Sequence, residues 1–388
     1  PHASFHEFYH NMHAIGKDRP RSEETLVFST QSTHKQLASF SQASQIHVKD
    51  KHIGDIERRV EHRRFNESFL QHASTSPFYP IFASLDVGAQ MMKGKSGEVL
   101  WDDTIRLGIE TRKKLRAIAR EFLDKESDPA RQWFFDPFVP DVTRFEGRDV
   151  RWEDVPTDDL ARDPSHWMLE PGRSWHGFSH LGPDYAMTDP NKLTILTPGF
   201  DRRTGAYLEQ GVPAPVVAEY LRENQIVPEK NDLNSLLFLL TPGVESSKAG
   251  GLMSALIFFK RLHDDNALLD EIMPDFVRRR APRYNGVRLG DLCRDIHSFY
   301  REHNISTLQR QQFRPEHLPE MAMLPHVAAK HLVRNKVDFV PLDQVMGRIA
   351  TTLMLVYPPG IATVLPGERL TDQAKPMIDY MRVFEKGA

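Results

Sequence analysis

Leu26-Val27-Phe28-Ser29-Thr30-Gln31-Ser32-Thr33-His34-Lys35 is the stretch on which the reading of this chain turns. Its first five residues are apolar, aromatic or small hydroxyl residues, and such a run predicts a strand. The residues that follow set a lysine behind a histidine and two hydroxyl side chains at the strand's tip. An amine in that place can condense with the aldehyde of pyridoxal 5'-phosphate (PLP). Neighbouring hydroxyls can hold the phosphate, and an imidazole can move protons. Taken alone, the tetrapeptide Ser32-Thr33-His34-Lys35 is also compatible with a plain surface lysine.

Working outward, helical and strand-like patterns alternate, which predicts an α/β chain. Leu100, Ile105, Ile109, Leu115, Ile118 and Phe122 recur at helical spacing between Ser96 and Lys125. Pro213 suits the opening of a second helix reaching about Asn224, and residues 246–266 carry Leu252, Leu256, Phe259 and Leu262 on one face. Ile226-Val227 and Leu236 to Leu240 read as short buried strands. The Pro-, Asp- and Arg-rich stretch 136–163 reads as loop. Arg278 to Gly286, with Pro282, is the expected domain boundary, giving domains 1–277 and 278–388. Beyond it, Leu292, Ile296 and Tyr300 mark a helix, Val327 to Val333 another, and Ile361 to Leu365 a terminal sheet.

The 388 residues, 40% of them hydrophobic, suffice for a sizeable core in two domains. A net charge of −3 gives no reason to expect nucleic acid or an anionic membrane as partner. The basic runs at Arg58-Arg59, Arg63-Arg64 and Arg278-Arg279-Arg280 read as solvated helix ends. Cys293 is the single cysteine, which excludes a disulfide framework or a zinc-thiolate site within the chain; its neighbours Leu292 and Ile296 make it a buried helix residue. With no signal peptide and no apolar run of the roughly 20 residues that span a bilayer, a cytoplasmic location is the expectation.

One motif points elsewhere. His6-Glu7-Phe8-Tyr9-His10 fits H-E-x-x-H, in which a helix presents two zinc ligands and a glutamate base. With 18 histidines in the sequence an accidental match is expected, and His13 stands where the extended motif wants glycine. Zinc peptidase chemistry stays a distant alternative, and no metal is expected.

The stretch from Ser29 to His47, built round Ser32-Thr33-His34-Lys35, resembles the PLP-lysine region of the bacterial ornithine/lysine/arginine decarboxylases. Further blocks follow in the family's order: Phe65-Asn66-Glu67-Ser68-Phe69, His72-Ala73-Ser74-Thr75-Ser76-Pro77, Trp175-His176-Gly177-Phe178, Asp189-Pro190, Thr197-Pro198-Gly199, Tyr357-Pro358-Pro359-Gly360 and Leu365-Pro366-Gly367-Glu368. Glu229-Lys230-Asn231-Asp232-Leu233-Asn234-Ser235 and Phe313-Arg314-Pro315-Glu316-His317 resemble the ornithine decarboxylase branch in particular.

The resemblance implies the C-terminal part of an aspartate-aminotransferase-like (fold type I) PLP large domain, followed by an α+β C-terminal domain. It implies decarboxylation of L-ornithine to putrescine and CO2, with lysine or arginine as the alternative substrate, and PLP as cofactor. Lys35 would carry the cofactor, His34 would contact it and donate a proton, and Ser32 would bind its phosphate. Ser74 would reach the phosphate of a neighbouring subunit, making a homodimer the smallest active unit; the alternative is that Ser74-Thr75-Ser76 starts a helix. Glu229 would face the substrate's distal ammonium, and Trp175 and His176 would line the entrance, with core packing the other reading of His176. In the family, the aspartate that pairs with the pyridine nitrogen, the phosphate loop and the ring-stacking histidine lie upstream of residues matched here. The chain therefore reads as a segment of a longer protein, inactive or weakly cofactor-binding by itself. A regulatory, non-catalytic relative is the remaining alternative.

Overall fold

The structure is a computed structural model that describes residues 27–49, 62–178, 181–356 and 361–387. Along the chain, β1 (Val27–Gln31) and β2 (Gln45–Lys49) precede helices α1 (His62–Leu70), α2 (Tyr79–Met91) and α3 (Gly94–Lys125). Then come β3 (Asp136–Pro137), β4 (Val142–Phe145), β5 (Arg148–Arg151), α4 (Thr157–Arg162), β6 (Lys192–Leu196), β7 (Phe200–Asp201) and β8 (Ala206–Tyr207). Helix α5 (Ala214–Glu223) leads to β9 (Lys230–Asn231), β10 (Ser235–Leu239) and α6 (Ser246–Asp264). Four helices follow, α7 (Leu269–Ile272), α8 (Pro274–Arg279), α9 (Leu289–Glu302) and α10 (Ile305–Gln311). The chain continues through β11 (Glu320–Met321), α11 (Pro325–Val333), β12 (Met354–Val356), β13 (Ile361–Val364), β14 (Glu368–Arg369) and α12 (Lys375–Gly387). No helix among the described residues is long and apolar enough to cross a membrane.

The chain divides into two compact units, one holding residues up to Lys114, Val139–Leu193 and Leu239–Ala249, the other the rest. In the first, β1 and β2 form an antiparallel hairpin in which Ser29 faces His47 and Gln31 faces Gln45. The core of this unit gathers Ile109, Val139, Trp152, Val155, Leu160 and Trp167. Trp152 and Trp167 meet edge to face at 5.1 Å, and each buried indole N–H donates to a carbonyl, that of His166 at 3.1 Å and that of Leu160 at 2.7 Å.

Arg112 is buried beside Trp167, 5.2 Å above its ring. Its Nη1 donates to Gly108 O at 3.0 Å and Pro190 O at 2.7 Å, and its Nη2 to Lys192 O at 2.9 Å. Burial pulls its pKa down to about 10, against a smaller upward pull from Asp189. Peptide carbonyls thus take up Nη1 and Nη2, while Nε is buried without a partner among the described residues, and through those carbonyls the guanidinium holds the Asp189-Pro190 turn.

The second unit carries a four-stranded sheet in the order β3-β6-β10-β9. Leu193 and Ile195 on β6 and Leu236 and Phe238 on β10 alternate inward, the period-two burial of a sheet with one covered face. Helix α5 buries Val216, Val217, Tyr220 and Leu221, and α6 buries Leu252, Leu256 and Phe259; Tyr220 and Phe259 meet at 5.2 Å. Lys260, also on α6, is buried, with its ammonium 4.7 Å from the Phe122 ring and 4.9 Å from the Trp133 ring. It donates to Arg131 O at 2.8 Å and to the Asp264 carboxylate, which also accepts from Trp133 Nε1 at 3.2 Å. Near the C-terminus a separate cluster packs Val345, Val364, Leu370, Met377 and Ile378.

Most expected elements are present, and two expectations are corrected. Residues 136–163 are not a loop: β4 and β5 pair from Val142↔Arg151 to Phe145↔Arg148. Their connection is Glu146-Gly147, both at positive φ (47° and 78°), the backbone of a tight two-residue hairpin turn. Ile226-Val227 is not a strand. Gln225 turns left-handed (φ 61°) at the end of α5, Ile226 N–H donates to Leu221 O at 2.8 Å, and Gln225 N–H to Arg222 O at 3.0 Å. These two bonds make a Schellman stop, in which the residue after the turn is commonly apolar. Ile226 is that residue, and Val227 is 72% exposed.

Candidate active site

Lys35 sits in the connection between β1 and β2, inside a turn closed by Lys35 N–H donating to Ser32 O at 3.1 Å and Leu37 N–H donating to Thr33 O at 3.0 Å. The turn brings Ser32, Thr33, His34 and Lys35 together. Ser32 and Lys35 are exposed, His34 is half-buried and Thr33 is buried. His34 is held twice by Ala43: its N–H donates to Ala43 O at 3.3 Å and its Nδ1–H at 2.9 Å. A carbonyl only accepts, so Nδ1 carries the proton of the neutral ring and Nε2 is the nitrogen left for other partners.

Helix α2 supports this connection. Phe40 N–H donates to Ser84 Oγ at 3.1 Å, Ser39 Oγ donates to Ser84 O at 3.4 Å, and Ser84 Oγ donates to Ile81 O at 2.7 Å. The loop carbonyl of Leu37 comes so near Gly88 that a Cβ there would lie 2.7 Å from it. Only glycine allows helix and loop this close.

The side chains of the turn suit PLP. An exposed amine can take the aldehyde, and exposed Ser32 and buried Thr33 offer hydroxyls to a phosphate. Thr33 Oγ1 is buried without a hydrogen-bond partner among the described residues, and such a group usually has one. The sequence reading counted Thr33 among the hydroxyls that can hold a phosphate but assigned that role by name to Ser32 alone.

Ser74 does not cap a helix, which corrects the alternative reading. Its Oγ accepts from Ser76 N–H at 3.1 Å, a local turn, and α2 begins at Tyr79 with Phe78 as its cap residue and Pro80 in its first turn. Ser74 itself is exposed.

Trp175 and His176 are both buried. His176 donates from Nε2–H to Glu170 O at 2.8 Å and accepts at Nδ1 from Phe178 N–H at 3.0 Å, so both ring nitrogens are engaged by its own loop. Its ring stacks on Phe178 at 5.7 Å and meets Trp175 edge-on at 5.1 Å.

Glu229 belongs to the second unit, immediately before β9, and is exposed. Its N–H donates to Leu237 O at 2.8 Å, continuing the β9–β10 ladder by one residue.

Cys293 is buried on α9, and burial pushes its thiol well above the ordinary cysteine range. A cavity of about 420 Å³ in the second unit is lined by Trp133, His263, Asn266, Arg294 and His297 and by Pro198 and Gly199 of the Thr197-Pro198-Gly199 block, but by none of the candidate site residues. His297 Nε2–H donates to Leu208 O at 2.9 Å, and burial lowers its pKa. His6-Glu7-Phe8-Tyr9-His10 lies outside the described residues; among those described, no three His, Cys, Asp or Glu side chains gather as metal ligands would.

Residues 1–248 match the family model of the Orn/Lys/Arg decarboxylase major domain, and residues 306–388 match that of the Orn/Lys/Arg decarboxylase C-terminal domain. The chain is 40% identical over 365 residues to the inducible ornithine decarboxylase of Lactobacillus sp. (strain 30a), covering 94% of this chain and 47% of that protein. It is also 40% identical over 387 residues to the lysine decarboxylase LdcA of Pseudomonas aeruginosa, covering 99% of this chain and 48% of that protein. The solved structure of lysine decarboxylase A from Pseudomonas aeruginosa superposes with a TM-score of 0.79 at 38% identity, over 93% of this chain and 45% of that one. The chain thus spans about half the length of the relatives it matches. The expected fold, the later part of a fold type I large domain followed by a C-terminal domain, stands. By these matches the chain belongs to the Orn/Lys/Arg decarboxylase family.

Proposed function

We propose that the complete enzyme decarboxylates L-ornithine to putrescine and CO2 with PLP. The observation that carries this reading is the Ser32–Lys35 turn, with its exposed lysine and its Thr33 hydroxyl, buried and without a partner among the described residues, in a member of this family. When bound, PLP supplies a pyridinium ring that takes up the electron pair left as CO2 departs. Lys35 would hold the cofactor by its Nζ. Ser32 and Thr33 bind the phosphate through their hydroxyls. His34, its Nδ1–H fixed on Ala43 O, presents Nε2 as the atom that returns a proton to the substrate's Cα. Ser74 extends to the phosphate held by a second copy, so the working unit is at least a homodimer. Glu229 pairs with the distal ammonium, which would be costly to bury alone. Trp175 and His176 shape the entrance by bracing their loop, since His176 has both ring nitrogens engaged within it. The domain division at 277/278 belongs to the same reading.

Ornithine is favoured over lysine by the Glu229–Ser235 block. Relatives named for either substrate stand at equal identity, 40% for each of the two compared. The test is chemical. In the complete enzyme, borohydride should fix the cofactor on the peptide carrying Lys35, and Lys35→Ala should abolish turnover of ornithine, lysine and arginine alike. Label on another lysine, or native turnover in that variant, refutes the reading.

A further inference from the structure

A chain of hydrogen bonds runs from helix α2 to the ring of His34. Ser84 Oγ, buried on α2 and donating to Ile81 O at 2.7 Å, accepts from Phe40 N–H at 3.1 Å. Phe40 O accepts from Ala43 N–H at 3.0 Å. Ala43 O then accepts twice from His34, from its N–H at 3.3 Å and from its Nδ1–H at 2.9 Å. Every member of the chain lies in the first unit. Ala43 is fully buried and stands two residues ahead of Gln45, where the β1–β2 ladder resumes. The ladder holds it on one side and the Phe40 turn on the other.

That turn draws on support from outside itself. Ala38 (φ 58°) and Gln42 (φ 75°) stand two residues either side of Phe40 in the left-handed region, which residues with a side chain adopt at a cost unless their surroundings enforce it. The Phe40 ring is 60% exposed and buries little that could fix the bend. Ser84 ties the bend at its middle residue. Ser39 gives a second, longer bond to α2, from its Oγ to Ser84 O at 3.4 Å, but that bond is not on the path to Ala43.

We propose that Ser84 is a positioning residue for proton return: through Phe40 and Ala43 it fixes the His34 ring, so that the proton given from Nε2 reaches the substrate's Cα and no other atom. The inference rests on the reading of His34 as proton donor given above. Once CO2 has left, Cα competes for that proton with the cofactor carbon that bore the aldehyde. A proton on Cα gives the diamine. A proton on the cofactor carbon, followed by one water, releases 4-aminobutanal and leaves the amino group on the cofactor. The electron pair left by CO2 then stays on the cofactor, which is reduced from aldehyde to amine while the substrate carbon is oxidised from amine to aldehyde.

The experiment gives ornithine to the complete enzyme and counts CO2, putrescine and 4-aminobutanal. The native enzyme should yield one putrescine per CO2. Ser84→Ala should lower kcat about 2- to 10-fold, the worth of one hydrogen bond, with the ornithine KM and cofactor affinity unchanged, and should release 4-aminobutanal beside putrescine. In the cofactor-free enzyme, hydrogen exchange on the peptide spanning Ala38 to Ala43 should quicken by about the same 2- to 10-fold. Ser39→Ala spares the path and should keep the native product ratio. Putrescine alone from Ser84→Ala, unchanged exchange there, or as much aldehyde from Ser39→Ala overturns the proposal. His34→Gln separates the two readings. One putrescine per CO2 in that variant removes His34 as the donor. Aldehyde from His34→Gln with none from Ser84→Ala removes only the role of Ser84.

Discussion

Replacing Asp264 by asparagine should destabilise the α6 region by about 3–4 kcal/mol, and the size follows from what Lys260 touches. Lys260 is 1% exposed, so its ammonium has given up water. Asparagine keeps an oxygen for Trp133 Nε1 but removes the only carboxylate paired with Lys260 among the described residues. Breaking a buried pair from one side costs about 3–5 kcal/mol. The lower part of that range applies here, because the ammonium keeps Arg131 O at 2.8 Å and two ring faces at 4.7 and 4.9 Å. The assay is hydrogen exchange on peptides spanning Ser246–Asp264 in the complete enzyme, where a 3 kcal/mol loss quickens exchange by about 10²-fold. The pH dependence carries a sign. Burial raises the Asp264 carboxyl, but the hydrogen bonds from His263 and Lys260 outweigh it and leave the group below its usual range. Its contribution is therefore full above the ordinary carboxylate range and is lost as pH falls through the native value, below about pH 4. Replacing both partners, Lys260→Met with Asp264→Leu, should restore most of the loss, since no charge is left unpaired. A loss under 1 kcal/mol in Asp264→Asn, or a double variant no better than the single one, refutes this account.

Two further outcomes are expected. Gly88→Ala adds a Cβ 2.7 Å from Leu37 O, so although alanine favours the helix by about 1 kcal/mol, the Lys35 connection must move; cofactor affinity, titrated on the cofactor-free enzyme, should fall about tenfold or more, and an unchanged affinity counts against α2 as the support of that turn. Cys293, with its thiol pushed up by burial, should resist iodoacetamide in the native enzyme and react once urea opens the second unit; fast native labelling of the Cys293 peptide would contradict its placement.

Much of the fold could be read in advance where one face of an element is apolar. Helix α3 follows Leu100, Ile105, Ile109, Leu115 and Phe122 nearly to the residue, and α5 begins just after Pro213 as expected. The misreadings have local causes. In the β4–β5 hairpin, Arg144, Arg148 and Asp149 face solvent and hide a two-residue period, and a Glu-Gly turn signals a hairpin less plainly than Asn-Gly. Ile226 looks like the start of a strand because apolar character alone does not distinguish a strand from the residue that locks a helix end. At the site, the lysine turn was visible because its chemistry lies in four consecutive residues. What the sequence could not show is that the Thr33 oxygen is buried without a hydrogen-bond partner among the described residues, a property of atoms in space.

The way Arg112 is fastened has a consequence for behaviour in acid. Its partners are main-chain oxygens of Gly108, Pro190 and Lys192, groups with no proton to gain in the ordinary pH range. The guanidinium stays charged at any pH below about 10, so its grip on the turn at residues 189–192 is as firm in a mildly acidic medium as in a neutral one. The clasp between Lys260 and Asp264 depends instead on a carboxylate that acid can neutralise. Falling pH should therefore release the C-terminal end of α6 while the Asp189-Pro190 turn stays fixed, an order of events set by the kind of oxygen each buried cation holds.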